Sequence, residues 1–386
     1  MNAPKTIPFN QVRPVGKEYQ YMQEAVSLHH LSSGGQFASR CEDWLERRLG
    51  TRRAILTHTC THALELACLA IDLKPGDEVI MPSFAFVTAA TAIALRGAVP
   101  VFVDISPDSL TLHPDTVARA ITDRTKAVIV IHYAGYGAWI DGLKDLCDRR
   151  GLYLIEDAAQ AIDSSYLGKP LGTLGHLATL SFHETKNLIA GEGGALLIND
   201  ETLVDRIEIM AEKGTDRAQF LQGRVEKYVW QDLGSSVRMG ELPAAYLFAQ
   251  FEEADHVFGY RRELWRRYHT GLAPMANEKG LSLPRHIPDS SGNAHLFYVL
   301  TQDRAHRDRL LSHLADHGVQ AVFHYVPLHS SPAGKKFGRA HGPMTVTDQV
   351  ADTLLRLPLY HSLSFDDVAR VVEAVAAFET PAKDAP

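Results

Sequence analysis

The stretch Ser181-Phe182-His183-Glu184-Thr185-Lys186-Asn187 is typical of a strand that breaks into a polar loop carrying one lysine. The glycine-rich sequence Gly191-Glu192-Gly193-Gly194 follows at once. Only the free amine of a lysine attacks a carbonyl, and burial beside a cofactor gives a lysine both a held position and a lowered pKa. Most lysines are solvated surface charges, but we interpret Lys186 as a Schiff-base lysine because of the residues upstream.

An acidic residue upstream supplies the second half of the pattern. The apolar run Leu152-Tyr153-Leu154-Ile155 predicts a short buried strand that ends in Glu156-Asp157-Ala158-Ala159-Gln160, which places Asp157 at the binding edge of a sheet. Pyridoxal phosphate needs a carboxylate against its pyridine nitrogen and a lysine for its aldimine, and Asp157 and Lys186 provide both. An N-cap role for Asp157 is the alternative, and the two roles are compatible.

Length and composition indicate an ordinary globular enzyme. The 386 residues are too many for one small core, so we expect a large cofactor-binding domain with an N-terminal arm over residues 1–250 and a small domain over 251–386. Charged residues make up 22% and hydrophobic residues 45% of the chain. The net charge of -7 argues against nucleic acid as the main partner.

The cysteines and the first residues point to a reducing compartment. Cys41, Cys60, Cys68 and Cys147 form no Cys-x-x-Cys pair, and Met1-Asn2-Ala3-Pro4-Lys5 lacks the apolar core of a signal peptide. No apolar run approaches the roughly twenty residues that span a bilayer. We therefore expect a cytoplasmic protein with no membrane partner.

A phosphate site is predicted where a strand at 54–56 runs through a polar turn into a helix at 63–71. The unpaired N–H groups at the start of a helix bind anions. A threonine at 59 or 61 that only caps the helix is the alternative. We place the phosphate on Cys60, Thr61 and His62.

Strands and helices alternate through the rest of the first 250 residues. Apolar strands at 78–81, 99–103 and 127–131 are separated by helices near 83–96 and 114–121. This alternation predicts a doubly wound, mainly parallel sheet covered on both faces, and thus an α/β fold.

A second, smaller α/β unit is predicted beyond residue 250. A long, kinked helix over 242–272 leads out of the large domain. Strands at 294–300 and 319–323 flank a helix at 304–316. A loose tail containing proline and alanine follows residue 380.

Three motifs carry a family resemblance. Glu-Asp-Ala-Ala-Gln at 156–160, Ser-Phe-His-Glu-Thr-Lys-Asn at 181–187 and Gly-Glu-Gly-Gly at 191–194 resemble those of the DegT/DnrJ/EryC1/StrS sugar aminotransferases, and the resemblance covers nearly the whole chain. It implies the type I, aspartate-aminotransferase-like fold, pyridoxal 5'-phosphate bound as an internal aldimine with Lys186, and a homodimer with shared active sites. It is greatest, through 182–187 and 321–329, to members that produce dTDP-4-amino-4,6-dideoxy-D-galactose.

The resemblance also implies roles for individual residues. An aromatic ring covers the pyridine face, and alignment gives this role to Phe86, while core packing suits Phe84 better. One loop is expected to reach into the active site of the partner subunit, where the family usually has an asparagine that helps bind the phosphate. This chain has Ser236 at that position, and its hydroxyl can still donate a hydrogen bond. Further cofactor contacts fall to Gln160, Ser181 and His183, and substrate contacts to Arg238, His329, Tyr325 and Glu192.

The function implied is transfer of an amino group from L-glutamate to the C4 keto group of a nucleotide-linked sugar, for surface polysaccharide or antigen synthesis. Lys186 acts as the base that moves the proton. Amination at C3 and a non-catalytic, cofactor-binding regulator are the alternatives. No metal site is expected, because His183-Glu184 is followed by Asn187 where a zinc motif has its second histidine.

Overall fold

The computed structural model describes residues 6–221 and 223–379. Its helices are α1 (Glu18–Ser27), α2 (Gln36–Leu49), α3 (Cys60–Ala70), α4 (Val87–Leu95), α5 (Pro114–Ala120), α6 (Ile140–Arg150), α7 (Val204–Ala211), α8 (Arg217–Leu221), α9 (Glu241–Glu252), α10 (Ala254–Leu272), α11 (Arg304–Asp316), α12 (Pro332–Phe337), α13 (Thr345–Thr353) and α14 (Phe365–Ala377). Its strands are β1 (Arg53–Thr57), β2 (Glu78–Pro82), β3 (Val99–Val103), β4 (Thr125–Ile131), β5 (Tyr153–Asp157), β6 (Ser165–Tyr166), β7 (Lys169–Pro170), β8 (Leu177–Ser181), β9 (Gly194–Ile198), β10 (Ser290–Ser291), β11 (Phe297–Leu300), β12 (Val322–Phe323), β13 (Arg339–Ala340) and β14 (Leu354–Leu357).

The largest sheet has the strand order β1-β9-β8-β5-β4-β2-β3-β13. Strand β9 pairs antiparallel with β1 and β8, and the other pairings are parallel. Successive strand residues enter opposite cores: Leu154 packs with residues of α2, α6 and α9, and Ile155 with residues of α3, α4 and α7. Because helices cover both faces, the inner strands are continuous apolar runs. The predicted α/β fold with a large, mainly parallel sheet is confirmed.

A smaller antiparallel sheet has the order β11-β14-β12. One face, with Phe297 and Leu355, packs against α10, α11 and α14. The opposite face, with Leu354, packs against Phe84 and Tyr133 of the large-sheet region. The predicted kink is a break between α9 and α10 at Glu253. We retain the domain division after residue 250 as a proposal.

The N-terminal segment crosses from the small sheet toward the loop that carries Lys186. Ile7 N–H donates to Gly318 O at 2.8 Å, and Ile7 is buried in the core of the small sheet. Three residues later, Asn10 Nδ2 donates to Glu184 O at 3.1 Å. Residues 1–5 of the predicted arm, and the predicted tail, lie outside the described residues. In the described ranges, no helix has the length and apolar character needed to cross a membrane.

Candidate active site

Lys186 lies on the loop that joins β8 to the antiparallel β9. Phe182 N–H donates to Gly193 O at 2.9 Å, and Ala190 N–H donates to Phe182 O at 2.7 Å, so the two ends of the loop are hydrogen-bonded to each other. Within the loop, Lys186 N–H donates to His183 O at 2.8 Å. These bonds give the lysine a fixed backbone position.

The residue after the lysine ties the loop to two other parts of the chain. Asn187 Oδ1 lies 2.9 Å from His295 Nδ1, and Asn187 Nδ2 donates to Asn293 O at 3.1 Å. Asn293 Nδ2 in turn donates to Gln160 O at 2.9 Å. All four side chains are buried. The network therefore links the lysine loop, the segment after β5 and the segment before β11.

Gly194 lets the end of the lysine loop lie directly against the start of α3, and Gly193 lets it lie against Met239. A Cβ atom on Gly194 would lie 2.4 Å from Cys60 N and 2.5 Å from the carbonyl carbon of Thr59. A Cβ atom on Gly193 would lie 2.8 Å from Met239 Cε. Only glycine permits such close approach of one backbone to another. The glycine-rich motif thus brings the lysine loop to the first turn of α3.

That first turn has the geometry of an anion site. Thr59 Oγ1 accepts a hydrogen bond from His62 N–H at 3.1 Å, so Thr59 is the N-cap of α3. Thr59 O accepts from Ala63 N–H at 3.3 Å. Within the described ranges, the N–H groups of Cys60 and Thr61 make no hydrogen bond. The threonine cap therefore leaves the two N–H groups available to an anion, and phosphate binding there stays a prediction.

Asp157 is the last residue of β5 and is buried at the same edge of the sheet. One carboxylate oxygen accepts from Ala159 N–H at 3.1 Å, as expected of a cap, and the other accepts no hydrogen bond from the described residues. Burial raises the pKa of Asp157, whereas the Ala159 N–H and the charges of Lys186 and His132 favour its ionised form.

Lys186, Asp157 and Cys60 influence one another electrostatically. Burial lowers the pKa of Lys186, while Cys60 and Asp157 act in the opposite direction. Burial likewise raises the pKa of Cys60 to about 12, with Asp157 adding to the rise. The backbone agrees with these effects, because Asp157 is opposite Thr179 of β8, the strand that leads to Lys186, and Gly194 lies against Cys60. The structure therefore brings the predicted lysine and aspartate to the same edge of the sheet, and the lowered pKa of Lys186 shifts it toward the free amine.

A buried, hydrogen-bonded pair of side chains supports the strand end that carries Asp157. His132 Nε2 lies 2.7 Å from Glu156 Oε2, and Glu156 also accepts from Gly172 N–H at 2.8 Å and Leu174 N–H at 2.7 Å. Burial alone would raise the pKa of Glu156, but the bonds to His132 and to backbone N–H groups bring it below its usual value. Sequence reasoning interpreted His132 as a structural histidine, which agrees with this contact, and gave Glu156 no role.

Gln160, a predicted cofactor contact, and Tyr325, a predicted substrate contact, are in direct contact with each other. Gln160 Oε1 accepts from Ala134 N–H at 2.8 Å, and Gln160 Nε2 donates to Tyr325 OH at 3.1 Å. The Tyr325 ring meets the edge of the Phe84 ring at a centroid distance of 5.3 Å. Burial raises the pKa of Tyr325 to about 12, so its phenol is neutral at physiological pH.

His329 is held by Ser83, the residue after β2, and Phe86 is the residue before α4. Ser83 Oγ lies 2.8 Å from His329 Nδ1 and accepts from His329 N–H at 3.0 Å, which fixes the histidine. Phe86 is 59% exposed, whereas Phe84 is 1% exposed and packs in the core. The ring of Phe86 is thus available for stacking, as its predicted role requires.

Three further predicted residues lie on the lysine loop or beside it. His183 Nδ1 lies 2.9 Å from Thr185 Oγ1, and its Nε2 lies 3.7 Å from Glu192 Oε1. Ser181 Oγ accepts from His183 N–H at 3.4 Å. All these contacts are made within the lysine loop or with the last residue of β8. Roles for His183, Glu192 and Ser181 in cofactor or substrate binding remain predictions.

The loop predicted to reach a partner subunit runs beside the end of β1. Ser236 is exposed, as such a role requires. Arg238 is mostly buried and forms ion pairs with Glu42 at 3.3 Å and Glu212 at 3.0 Å. A substrate anion would have to compete with these carboxylates, so substrate binding by Arg238 also stays a prediction.

The residues present fit pyridoxal phosphate. Lys186 supplies an amine, Asp157 an unbonded carboxylate oxygen, and Cys60 and Thr61 free N–H groups for a phosphate. No group of three or more metal-ligating side chains occurs among residues 6–221 and 223–379. Sequence reasoning missed Arg356, which influences the pKa of Lys186. A cation inside the apolar run Leu354-Leu355-Arg356-Leu357 was the available signal.

Comparisons with known proteins agree with this geometry. The model of the DegT/DnrJ/EryC1/StrS aminotransferase family matches residues 15–376. The chain is 33% identical over 383 residues to dTDP-3-amino-3,4,6-trideoxy-alpha-D-glucose transaminase from Streptomyces venezuelae, covering 96% of this chain and 95% of that protein. It is 33% identical over 326 residues to dTDP-4-dehydro-2,3,6-trideoxy-D-glucose 4-aminotransferase from Saccharopolyspora spinosa, covering 83% of each.

A solved structure is similar over the same length. The crystal structure of DesV from S. venezuelae in complex with a ketimine intermediate superposes with a TM-score of 0.85 at 32% identity, covering 93% of both chains. The fold is thus that of the type I pyridoxal-phosphate-dependent enzymes, which confirms the fold expected from the sequence motifs.

Proposed function

Because the chain belongs to the DegT/DnrJ/EryC1/StrS aminotransferase family, we propose that it transfers the amino group of L-glutamate to the C4 keto group of dTDP-4-keto-6-deoxy-D-glucose. The product is dTDP-4-amino-4,6-dideoxy-D-galactose, a precursor for surface polysaccharide. At the coarser level, the chain is a pyridoxal-phosphate-dependent aminotransferase that acts on nucleotide-linked sugars.

The observation that carries the proposal is the convergence of three features at one sheet edge. Lys186 and Asp157 are close enough to shift each other's pKa. Through Gly194, the lysine loop lies against the first turn of α3, where the N–H groups of Cys60 and Thr61 are free. A reactive amine, a buried carboxylate and an anion site are the three groups that this cofactor needs.

Each residue then has a defined task. When bound, pyridoxal phosphate supplies the electron sink for the carbanion at the reacting carbon. Lys186, favoured as a free amine by its lowered pKa, takes the proton from the α-carbon of the amino donor and later returns a proton to C4 of the sugar. Asp157, in its ionised form, would stabilise positive charge on a ring nitrogen from its buried position.

The sugar side of the site rests on the segment 324–329. His329 is fixed by Ser83, and Tyr325 by Gln160. Neutral donors and aromatic faces suit sugar hydroxyls, and the same segment carries the resemblance on which C4 amination is proposed. The S. venezuelae relative is a 3-amino transaminase by name, which makes C3 amination the second candidate.

We also propose a homodimer in which Ser236 contacts the cofactor of the partner subunit. The segment before Ser236 presents large apolar side chains to solvent, with Trp230 76% and Leu233 56% exposed. A second copy of the chain would cover them.

All four cysteines are free thiols, which supports the proposed cytoplasmic location.

Incubation of the purified protein with pyridoxal phosphate, L-glutamate and dTDP-4-keto-6-deoxy-D-glucose tests the proposal. NMR and mass spectrometry of the product should show an amino group on C4 in the galacto configuration. Turnover of a 3-keto sugar and not of the 4-keto sugar would establish the second candidate. No change in cofactor absorbance with L-glutamate would exclude both and leave the regulator alternative.

A further inference from the structure

Thr179 of β8 lies beside Asp157 of β5 in the large sheet. The two strands are parallel, and Thr179 is the residue paired with Asp157. On the same strands, Leu177 and Ile155 both pack in the core with α3 and α4. Since alternate strand residues share a face, Thr179 and Asp157 point to that side of the sheet as well. Neighbouring strands are about 4.8 Å apart, so the two side chains are adjacent.

The hydroxyl of Thr179 has no hydrogen-bond acceptor. Thr179 is 0% exposed, and its Oγ1 is buried without a partner among residues 6–221 and 223–379. The thiol of Cys60 is close enough for Thr179 to lower its pKa, but a thiol is only a weak acceptor. A buried hydroxyl without a partner costs free energy, and it often marks a functional position.

Another buried threonine shows the usual arrangement. Thr111 is as fully buried as Thr179, and its Oγ1 donates to Ile131 O at 2.8 Å. Thr347 of α13 is the second buried threonine whose hydroxyl has no partner within the described ranges. Because Thr347 belongs to a different element, it provides a matched control for Thr179.

The carboxylate of Asp157 offers the complementary group. One of its oxygens accepts from Ala159 N–H, and the other accepts no hydrogen bond from the described residues. The titratable side chains that interact electrostatically with Asp157 come from four other segments: Cys60, His132, Lys186 and Tyr325. None of these four donates a hydrogen bond to Asp157 in the part of the chain that the structure describes. An unpaired donor and an unpaired acceptor are therefore neighbours on adjacent strands.

We propose that Thr179 is a positioning residue for Asp157, whose carboxylate accepts a hydrogen bond from the Thr179 hydroxyl in the cofactor-loaded enzyme. This inference rests on the proposed function, because that function assigns Asp157 to the ring nitrogen. Burial raises the pKa of Asp157, whereas a hydrogen bond to the carboxylate favours the ionised form that the ring nitrogen needs. Rotation about the Cα–Cβ bond of Thr179 redirects its hydroxyl without movement of the strand.

The test compares Thr179→Val and Thr179→Ser with the wild-type protein. Valine has the shape of threonine without the hydroxyl, and serine retains the hydroxyl. Titration of the apoprotein with pyridoxal phosphate should show an affinity about tenfold lower in Thr179→Val and less than about threefold lower in Thr179→Ser. The melting temperature of the Thr179→Val apoprotein should equal the wild-type value or exceed it by up to about 2 °C, because an unpaired buried hydroxyl is removed. Thr347→Val should have the same effect on melting temperature and leave the affinity unchanged.

Absorbance of the bound cofactor provides a second readout that needs no turnover. The pH at which the visible absorbance changes reports the proton on Lys186 Nζ in the loaded enzyme. A less ionised Asp157 leaves less positive charge on the ring nitrogen, so this proton is lost at a higher pH. We expect the midpoint to rise by at least about half a pH unit in Thr179→Val, and to stay at the wild-type value in Thr179→Ser and Thr347→Val.

Combination with Asp157→Asn identifies how the hydroxyl acts. In that background, Thr179→Val should cause no further shift of the midpoint, because the threonine acts through the carboxylate. A full shift in the Asp157→Asn background would mean that the hydroxyl contacts the cofactor directly, and would overturn the proposal. A lowered melting temperature of the Thr179→Val apoprotein with unchanged cofactor affinity would make the hydroxyl structural and also overturn it.

Failure of this inference is distinguishable from failure of the proposed function, because these readouts need neither the sugar nor the amino donor. If Asp157→Asn alone leaves the midpoint and the affinity unchanged, Asp157 does not act on the ring nitrogen and both are refuted. If Asp157→Asn shifts the midpoint but Thr179→Val does not, the role of Asp157 stands and the inference about Thr179 is refuted.

Discussion

His132 and Glu156 form a hydrogen-bonded pair, 2.7 Å from Nε2 to Oε2, in surroundings closed to solvent. Glu156 directly precedes Asp157, and alternate strand residues point to opposite faces. The pair therefore fixes the strand end from behind while Asp157 faces the site. Glu156 therefore has a structural role, and its neighbour Asp157 has a chemical role.

Replacement of Glu156 by Ala should lower the free energy of unfolding by about 3–5 kcal/mol, because it leaves His132 and several backbone N–H groups buried without a partner. Urea denaturation measures the change. Glu201→Ala, which removes an exposed carboxylate paired with Arg52, should cost less than about 1 kcal/mol. A loss below about 1 kcal/mol for Glu156→Ala would contradict the structural role.

Replacement of Lys186 by Ala should abolish turnover while the fold is retained. The proton transfers assigned to its amine contribute about 10²- to 10⁴-fold in typical enzymes, and the attachment of cofactor is lost as well. Product assays and circular dichroism measure the two effects. Lys169→Ala, an exposed lysine of β7, is the control. Appreciable turnover by Lys186→Ala would contradict the assignment of Lys186 as the base that moves the proton.

Replacement of Asp157 by Asn removes the charge and keeps the volume. We expect turnover to fall by about 10²- to 10³-fold, the usual effect of removing one aimed electrostatic group. Stability should change little, because burial raises the pKa of Asp157 and so opposes its charge in the folded state. Steady-state kinetics and thermal unfolding check both expectations. A variant with wild-type turnover would show that the ring nitrogen does not need this carboxylate.

The reactive pair was within reach of sequence reasoning because each member belongs to a local pattern, an apolar strand with a polar end. Thr59 as a helix cap is local in the same way. Arg356 and the pairing of His132 with Glu156 were missed because each depends on partners from distant strands. Residue propensity also predicted a strand over 319–323 that is longer than the observed one, because pairing with β14 is limited to Val322–Phe323.

Replacement of Gly194 by Ala should weaken cofactor binding, because a Cβ atom there would collide with the backbone of Thr59 and Cys60 at the start of α3. We expect a loss of at least about tenfold in affinity for pyridoxal phosphate, measured by titration of the apoprotein. Gly259→Ala is the matched control, since no atom lies near its added Cβ and it is in the interior of α10. That variant should be more stable by about 0.5–1 kcal/mol. Unchanged affinity in Gly194→Ala would count against the close approach.

Stability should fall with acid through His324. Burial, with the charges of Arg356 and Lys186, lowers the pKa of His324 to about 2, while the unfolded value is about 6.5. Its contribution is therefore complete above pH 6.5 and is lost progressively as the pH falls toward 2, by about 1.4 kcal/mol per pH unit.

Urea unfolding of the purified protein at pH 7.5 and pH 5.0 measures this effect. Between these values, His324→Gln should show about 2 kcal/mol less pH dependence than the wild type. His317→Gln, which removes an exposed histidine, is the control. Equal pH dependence in His324→Gln and the wild type would mean that the folded protein binds a proton at His324 as readily as the unfolded chain.

The segment from Ile7 to Asn10 is anchored at one end in the small-sheet core and at the other on the carbonyl of Glu184, two residues before Lys186. The segment connects the core of the small sheet to the loop that carries Lys186. A displacement of the small sheet would therefore act on the backbone of the lysine loop through the hydrogen bond from Asn10 to Glu184. Cleavage of the backbone between Ile7 and Asn10 would remove this direct connection between the small-sheet core and the loop of the reactive lysine.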